Sequence, residues 1–255
     1  VLGAINGTSG NKVSITSNEV VYVGSEISKN VVEITAAAGG TDLNAQMIGG
    51  ANSSDSLKLI GVGNTQSITA SGDLSGGALT FDLTASTQLN SIDISGLKGI
   101  TSGVTIDLAK VKHTDAQTLN MIVVDIQGSD AAETITANTA DAAVTAITLS
   151  GDLGGGANIV TVAPDAAAVA ITTIDLSGLS ATGGTLEGTI TIAAALTAVT
   201  SIKGSAGKDT VDISAIVNAG DVTIDLGAGD DTFKGGVLVA SKQVTVTGGE
   251  GNDTF

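Results

Sequence analysis

Short runs in which apolar residues alternate with Thr, Ser or Asp recur along the whole chain. An alternation of period two is typical of strands that bury one face. Clusters of Gly, Asn, Ser and Asp separate the runs, and no amphipathic helix longer than about two turns is predicted. The pattern therefore predicts an all-β chain, with strands that include residues 13–16, 79–83, 104–108, 189–192, 222–226 and 244–247.

Internal repeats predict the architecture. The sequence SGDL at residues 71–74 returns at 150–153, and SIDISGL at 91–97 returns as TIDLSGL at 173–179. A third landmark begins at Gly50, Gly128 and Gly204. Matching landmarks in matching order indicate a unit of about 78 residues, with some drift in loop length. We therefore predict an elongated parallel β-helix or β-roll solenoid.

The repeat becomes shorter after residue 204. Asp209, Asp231 and Asp253 occupy equivalent places in three successive motifs, 22 residues apart each time. That step is about the length of one or two coils of a solenoid, and neighbouring coils stack. The three carboxylates should therefore align along one edge. We predict a solenoid body at residues 1–200, and a denser region at 201–255 that continues it.

Composition supports thin, regular layers and excludes several classes of function. Ala, Val, Ile and Leu supply nearly all the apolar residues, aromatics are 2%, and there are 35 glycines. The net charge is −16 and every basic residue is Lys, so nucleic acid is excluded as a partner. The chain has no Cys and no apolar run long enough to span a membrane. Bound divalent cations would relieve the self-repulsion of such a charge.

The sequence GGEGNDTF at residues 248–255 carries the most informative chemistry. Its glycines let the backbone curl so that carbonyl oxygens point inward, and Asp253 adds a carboxylate. Oxygen ligands at a tight turn, with no His or Cys, favour Ca²⁺ over Zn²⁺. One turn supplies only part of the shell of Ca²⁺, so a neighbouring coil must supply the rest and binding must couple to folding.

These residues resemble the glycine-rich nonapeptide G-G-x-G-x-D-x-U-x of RTX proteins, which wind into a calcium-binding β-roll. Residues 226–233 and 204–211 match less completely, because Leu226 and Ser205 each replace a glycine. The resemblance implies that residues 201–255 are an RTX-like calcium region. The coil that would complete the Asp253 shell lies beyond this chain, so Asp231 is the stronger candidate. The implied ligands are Gly227, Gly229, Asp230, Asp231, Gly249, Gly251, Asn252, Asp253, Gly207 and Asp209, with Glu133, Asp130 and Asp55 in weaker copies.

Residues 89–97, 103–108 and 126–135 look like the repeat units of surface-layer proteins of Gram-negative bacteria. The resemblance implies type I secretion by a C-terminal signal, calcium-dependent folding outside the cell and self-assembly of copies into a two-dimensional lattice. It also implies an anchor on lipopolysaccharide or another cell-surface glycan, through regions outside this chain. The secretion signal is absent, so we interpret the chain as a fragment.

Two other interpretations remain open, an RTX adhesin or ice-binding module and the calcium-binding tail of a secreted enzyme or toxin. The Thr-x-Thr pairs that begin at Thr189 and Thr245 do not recur at a fixed spacing, as an ice-binding face requires. We do not expect catalysis, because Arg, Trp and a His-Glu-x-x-His motif are absent and the single His113 suits an exposed loop. The strand carboxylates are expected to be solvated, namely Asp93, Asp107, Asp175 and Asp225.

Overall fold

The computed structural model of the chain describes the following residues, to which every structural statement below refers: 12–17, 20–24, 31–36, 42–48, 56–63, 65–100, 104–108, 121–129, 131–137, 139, 142–166, 168, 170–216, 220–237 and 242–255.

The described residues form nineteen β-strands. None of these residues lies in an α-helix, and none belongs to a helix long and apolar enough to cross a membrane. The strands are β1 (Lys12–Ser17), β2 (Val20–Gly24), β3 (Val31–Ala36), β4 (Asp42–Ile48), β5 (Ser56–Ile60), β6 (Ser67–Asp82), β7 (Ser91–Ile100), β8 (Thr105–Asp107), β9 (Met121–Ser129), β10 (Thr134–Thr136), β11 (Ala146–Gly154), β12 (Ala157–Val162), β13 (Thr173–Ser180), β14 (Thr185–Thr191), β15 (Ser201–Lys203), β16 (Lys208–Asp212), β17 (Val222–Asp225), β18 (Thr232–Lys234) and β19 (Val244–Thr247).

Successive strands alternate between two parallel sheets. The first sheet contains β1, β3, β5, β8, β10, β12, β14, β16 and β18, and the second contains β2, β4, β7, β9, β11, β13, β15, β17 and β19. The long strand β6 belongs to both, because its first part pairs with β4 and β7 and its last part with β5. Each coil thus gives one strand to each sheet. This arrangement confirms the prediction of a parallel β-solenoid.

The length of a coil varies along the chain. Paired residues are 19 positions apart between Lys12 and Val31, and 32 apart between Ser91 and Val123. Near the C-terminal end the step settles at 22, as between Thr210 and Thr232. The 22-residue repeat therefore equals one coil. The longer repeat equals three coils, because its two SGDL copies lie on β6 and β11, with β7 and β9 between them in the same sheet.

The interior is filled by aliphatic side chains that alternate with outward-facing polar residues. On β14, Leu186, Gly188 and Ile190 face inward, whereas Glu187 and Thr191 are exposed. The same alternation builds one continuous cluster of Leu, Ile, Val and Ala from Leu43 to Leu226. Fully burying one such large side chain contributes about 1.5–3 kcal/mol. The small and β-branched residues suit the narrow space between two sheets, as the composition predicts.

The carboxylates expected on the outer faces of strands lie there. Asp93 and Asp225 are exposed, and Asp107 and Asp175 are half-buried. The Asp175 carboxylate accepts hydrogen bonds from the Ser177 N–H (3.0 Å) and hydroxyl (2.6 Å), and lies 3.2 Å from the Lys203 ammonium of the next coil. These bonds hold the pKa of Asp175 below its usual value despite partial burial. Such carboxylates cap turns and tie coils together.

Candidate metal centre

Three aspartates stack at the edge where the strands of the first sheet begin. Asp209 lies on β16, Asp231 directly precedes β18, and Asp253 directly precedes a bridge residue paired with β18. The threonines that follow them pair in parallel register, Thr210 with Thr232 and Thr232 with Thr254. The three aspartates therefore occupy one position on three successive coils. We call this stack the carboxylate ladder.

Hydrogen bonds connect each member of the carboxylate ladder to the next. The Asp209 N–H donates to Oδ1 of Asp231 (2.7 Å), and the Asp231 N–H donates to Oδ1 of Asp253 (3.1 Å). Each of these two carboxylates thus reaches back by one coil. The stack ends on the N-terminal side at Gly188, which pairs with Asp209. Because Gly188 has no side chain, Oδ1 of Asp209 can occupy the space where a Cβ would lie.

The first two carboxylates are buried and only partly satisfied. Asp209 is 0% exposed and Asp231 is 1% exposed. Oδ1 of Asp209 and Oδ2 of Asp231 accept no hydrogen bond from the described residues, and no lysine of that part of the chain pairs with either group. A buried charge without a partner is strongly unfavourable. A proton or a cation on either carboxylate would therefore stabilise the stacked coils.

The electrostatic surroundings raise the pKa of both groups. Burial raises the pKa of Asp209 to about 6; the hydrogen bonds from Ser205 oppose this shift, and the nearby Asp231 charge adds to it. Burial also raises the pKa of Asp231; the hydrogen bond from the Asp209 N–H opposes the shift, and the charges of Asp253 and Asp230 reinforce it. Both pKa values are raised for the same reason, because negative charges lie close together in a place that water does not reach.

Glycines shape the turns before Asp231 and Asp253. The backbone φ is +98° at Gly227, +136° at Gly229, +102° at Gly249 and +126° at Gly251. A Cβ on any of these residues would collide with a carbonyl oxygen of the preceding coil; at Gly229 that oxygen belongs to Gly207. Glycine is therefore required here both by conformation and by the close approach of two backbones. The stacked turns place main-chain carbonyl oxygens of one coil against the glycines of the next.

Two other predicted ligands stand on the outside of the same edge. Asp230 and Asn252 are exposed, and the Asn252 N–H donates to Oδ1 of Asp230 (2.9 Å). They form an outer row parallel to the buried carboxylates. Their side chains are accessible from solvent, whereas those of Asp209 and Asp231 are enclosed.

Glu133 belongs to a separate place in the stack, because β12 and β14 lie between its strand and β16. Glu133 is 0% exposed, and its N–H donates to Oδ1 of Asn158 (2.9 Å), one coil further on. Asn158, also 0% exposed, was missed by the sequence reasoning. A signal was present, since Gly154-x-Gly156-x-Asn158-x-Val160 repeats the glycine spacing of the later turns with Asn in place of Asp. The remaining candidates, Asp55 and Asp130, and also His113, lie outside the described residues.

The residues of the ladder fit a hard cation. Among the described residues, no three or more His, Cys, Asp or Glu side chains form a metal-binding group, so most ligands would have to be main-chain oxygens. The turns supply such carbonyls, and the ladder supplies two buried carboxylate oxygens without partners. An all-oxygen donor set suits Ca²⁺, which accepts six to eight oxygens in flexible geometry.

Comparisons of the chain with protein-family models, with curated proteins and with solved structures gave no match.

Proposed function

We propose that this chain is a structural β-solenoid of a bacterial surface layer and that Ca²⁺ bound between its C-terminal coils stabilises it. The carboxylate ladder is the observation that carries the calcium proposal. Asp231 is 1% exposed and has one oxygen without a hydrogen-bond partner, and it lies between two further carboxylates. A divalent cation would neutralise this charge and turn an unfavourable stack into a favourable one.

Asp231 and Asp253 are the proposed carboxylate ligands, one from each of two successive coils. Main-chain oxygens of the turns at Gly227–Asp231 and Gly249–Asp253 would complete the shell, with Asp230 and Asn252 at its exposed side. Ligands from two coils make the ion a bridge between them. Because the unfolded chain cannot assemble such a shell, the binding free energy contributes directly to folding.

The lattice part of the proposal is supported by the sequence resemblance and by the architecture. Stacked coils give a regular scaffold with two long sheet faces, a suitable unit for a repeating coat. The proposed partners are copies of the same protein, with lipopolysaccharide or another surface glycan as the anchor. The proposed location is the outside of a bacterial cell, reached by type I secretion.

The deciding experiment compares chelated and calcium-loaded protein. Addition of CaCl₂ after EGTA treatment should raise the melting temperature, increase β-sheet circular dichroism and produce ordered two-dimensional sheets in electron micrographs. A variant with Asp209→Asn and Asp231→Asn should lose the thermal response. Identical melting curves with and without calcium would refute the calcium proposal, and a thermal response without ordered sheets would refute only the lattice.

A row of threonines in register favours a second candidate, the adhesin or ice-binding module. Although their spacing in sequence is unequal, threonines of the first sheet form an unbroken rank in register: Thr136, Thr161, Thr189, Thr210, Thr232 and Thr254. The adjacent row is mixed, with Ile159, Glu187 and Lys208. An ice-binding surface should produce thermal hysteresis that Thr189→Glu abolishes, whereas a scaffold should produce none.

A further inference from the structure

Ser205 replaces a glycine that the other two calcium-like turns retain; residues 204–209, 226–231 and 248–253 are called the first, second and third turns. The second turn has Gly227 at the equivalent place and the third has Gly249, both with positive φ. Ser205 is 3% exposed, so its hydroxyl is enclosed together with the Asp209 carboxylate. Buried hydroxyl groups are normally hydrogen-bonded, and the acceptor of the Ser205 hydroxyl is the Asp209 carboxylate.

The Ser205 side chain closes the first turn from within. The Ser205 N–H (2.6 Å) and hydroxyl (2.9 Å) both donate to Oδ2 of Asp209, and the hydroxyl oxygen accepts the Gly207 N–H (3.1 Å). One carboxylate oxygen is thereby fixed by two donors from its own turn. Hydrogen bonds to a charged acceptor are the stronger kind, and the site is closed to water.

The second turn lacks this internal closure. Oδ1 of Asp231 accepts its hydrogen bond from the preceding coil, the Asp209 N–H, and Oδ2 accepts none from the described residues. Gly227 has no hydroxyl that could take the place of the Ser205 donor. The conformation of the second turn therefore depends on the coil that contains Asp209, and on the proton or cation that neutralises Oδ2 of Asp231.

We propose that Ser205 makes the Asp209 turn independent of calcium, so that this turn is a preformed template on which the calcium-requiring turns at Asp231 and Asp253 order. This inference rests on the proposed calcium function. The template acts through the Asp209 N–H, which positions the Asp231 carboxylate for the ion. Ser205 is thus a positioning residue that sets where calcium dependence begins along the solenoid.

Hydrogen exchange monitored by mass spectrometry, on the full 255-residue chain in EGTA and in excess CaCl₂, tests the proposal. In the wild type, amides 205–207, whose acceptors lie in their own turn or in the preceding coil, should stay protected in EGTA, while amides 226–233 and 248–255 should exchange rapidly until calcium is added. In Ser205→Ala, amides 205–207 should exchange at least roughly tenfold faster in EGTA, because the two hydrogen bonds of the hydroxyl are lost. Ser205→Gly, which restores the motif glycine, should make these amides protected only with calcium.

Ser214→Ala is the matched control. Ser214 donates its N–H (2.9 Å) and hydroxyl (2.6 Å) to the Asp212 carboxylate, but both bonds are exposed. This variant should leave amides 205–207 protected in EGTA. The Ser205 proposal alone is overturned if these amides exchange as fast as 226–233 in wild-type EGTA samples, or if neither Ser205 variant changes their rate. If calcium fails to slow exchange at 226–233 and 248–255, both the proposed function and the template proposal fall.

Discussion

The two oxygens of the Asp231 carboxylate have opposite surroundings. Oδ1 accepts the Asp209 N–H, and Oδ2 has no partner among the described residues. Asparagine would keep the first interaction through its own carbonyl oxygen and would remove the negative charge. The surroundings therefore separate a structural role, which Asn can fill, from cation binding, which needs the charge.

Asp231→Asn should consequently have opposite effects in the two conditions. Without calcium, the free energy of unfolding should stay unchanged or rise by about 1 kcal/mol, because a buried charge is lost. With calcium, the variant should be about 2 kcal/mol less stable than the wild type, because a charged ligand is lost. Urea unfolding in EGTA and in CaCl₂ measures both values. Asp225→Asn, at an exposed strand position, should change neither; a loss of stability in EGTA larger than that of this control would contradict the prediction.

The raised pKa of Asp209 predicts a pH dependence that calcium reverses. A carboxyl whose pKa rises from 3.8 to about 6 on folding stabilises the fold below the lower value, and this contribution disappears as pH rises through about 6. The full effect corresponds to about 3 kcal/mol. In calcium-depleted buffer, stability should therefore fall between about pH 4 and 6. With calcium it should rise over the same range, because protons and the ion compete for the Asp231 carboxylate, whose pKa is also raised by burial.

Thermal unfolding across this pH range, in calcium-depleted buffer, provides the measurement, with Asp209→Asn as the variant that should flatten the slope. Four carboxylates with lowered pKa act in the opposite sense, and their contribution is lost only as pH falls below the ordinary Asp value near 3.8: Asp82, Asp152, Asp175 and Asp212. Above about pH 4, the pH dependence of stability therefore comes from the buried carboxylates of the ladder. A flat wild-type profile would show that Asp209 titrates normally.

Gly229 and Gly183 offer a direct measure of how closely the coils approach each other. Both have positive φ, +136° and +85°. A Cβ on Gly183 would meet nothing within 4 Å, whereas one on Gly229 would collide with the Gly207 carbonyl. Gly183→Ala should cost about 1–2 kcal/mol for backbone strain alone. Gly229→Ala should cost at least about 2 kcal/mol more, since the stacked turns must separate. Equal urea midpoints for the two variants would contradict this difference.

At the scale of strands, a buried asparagine ties β10 to β12. Asn158 accepts the Glu133 N–H through Oδ1 (2.9 Å) and donates from Nδ2 to the Gly155 carbonyl (3.1 Å). Asn158→Ala should destabilise the fold by about 1–3 kcal/mol, because it leaves buried backbone groups without partners. The exposed Asn252 gives the control, since Asn252→Ala should change the urea midpoint in EGTA very little. Equal losses for the two variants would show that the Asn158 bonds contribute no net stability.

The strands themselves could be predicted from local sequence, because their signal has period two and needs no distant partner. The run at 244–247 coincides with β19, and the run at 222–226 overlaps all of β17. Strand pairing could not be predicted in the same way. Loops absorb different numbers of residues in each coil, from a 19-residue to a 32-residue step, so equal spacing identified only the last coils.

The carboxylate ladder could be predicted because its three members are equally spaced in the sequence. Its hydrogen bonds could not be predicted. A constant 22-residue step places Asp209, Asp231 and Asp253 in line whatever the rest of the chain does. The role of Ser205 depends on a turn conformation that brings its hydroxyl to 2.9 Å from its own aspartate. In the sequence alone, Ser205 is only a departure from the glycine motif. Contacts within one turn depend on angles that residue spacing does not specify.

At the scale of the whole molecule, two effects of salt must be distinguished. A net charge of −16 on 255 residues opposes compaction, and any salt screens that repulsion. Calcium bound in the ladder would act in addition to screening, since a site at a ligand concentration of 100 times Kd adds about 2.7 kcal/mol. Screening depends on ionic strength and spreads over the entire surface. Site binding depends on the identity of the ion and on a few buried oxygens.

Unfolding measured in NaCl, MgCl₂ and CaCl₂ at equal ionic strength separates these effects. NaCl should raise the free energy of unfolding by about 1 kcal/mol through screening. MgCl₂ should add little to this, because Mg²⁺ is smaller, requires octahedral geometry and gives up its water reluctantly. CaCl₂ should exceed both by about 2–3 kcal/mol per occupied site. The Asp209→Asn, Asp231→Asn variant should retain the NaCl effect and lose the calcium excess. Equal stabilisation by CaCl₂ and MgCl₂ would mean that charge density alone governs the stability of the solenoid, and that the buried ladder holds protons instead of an ion.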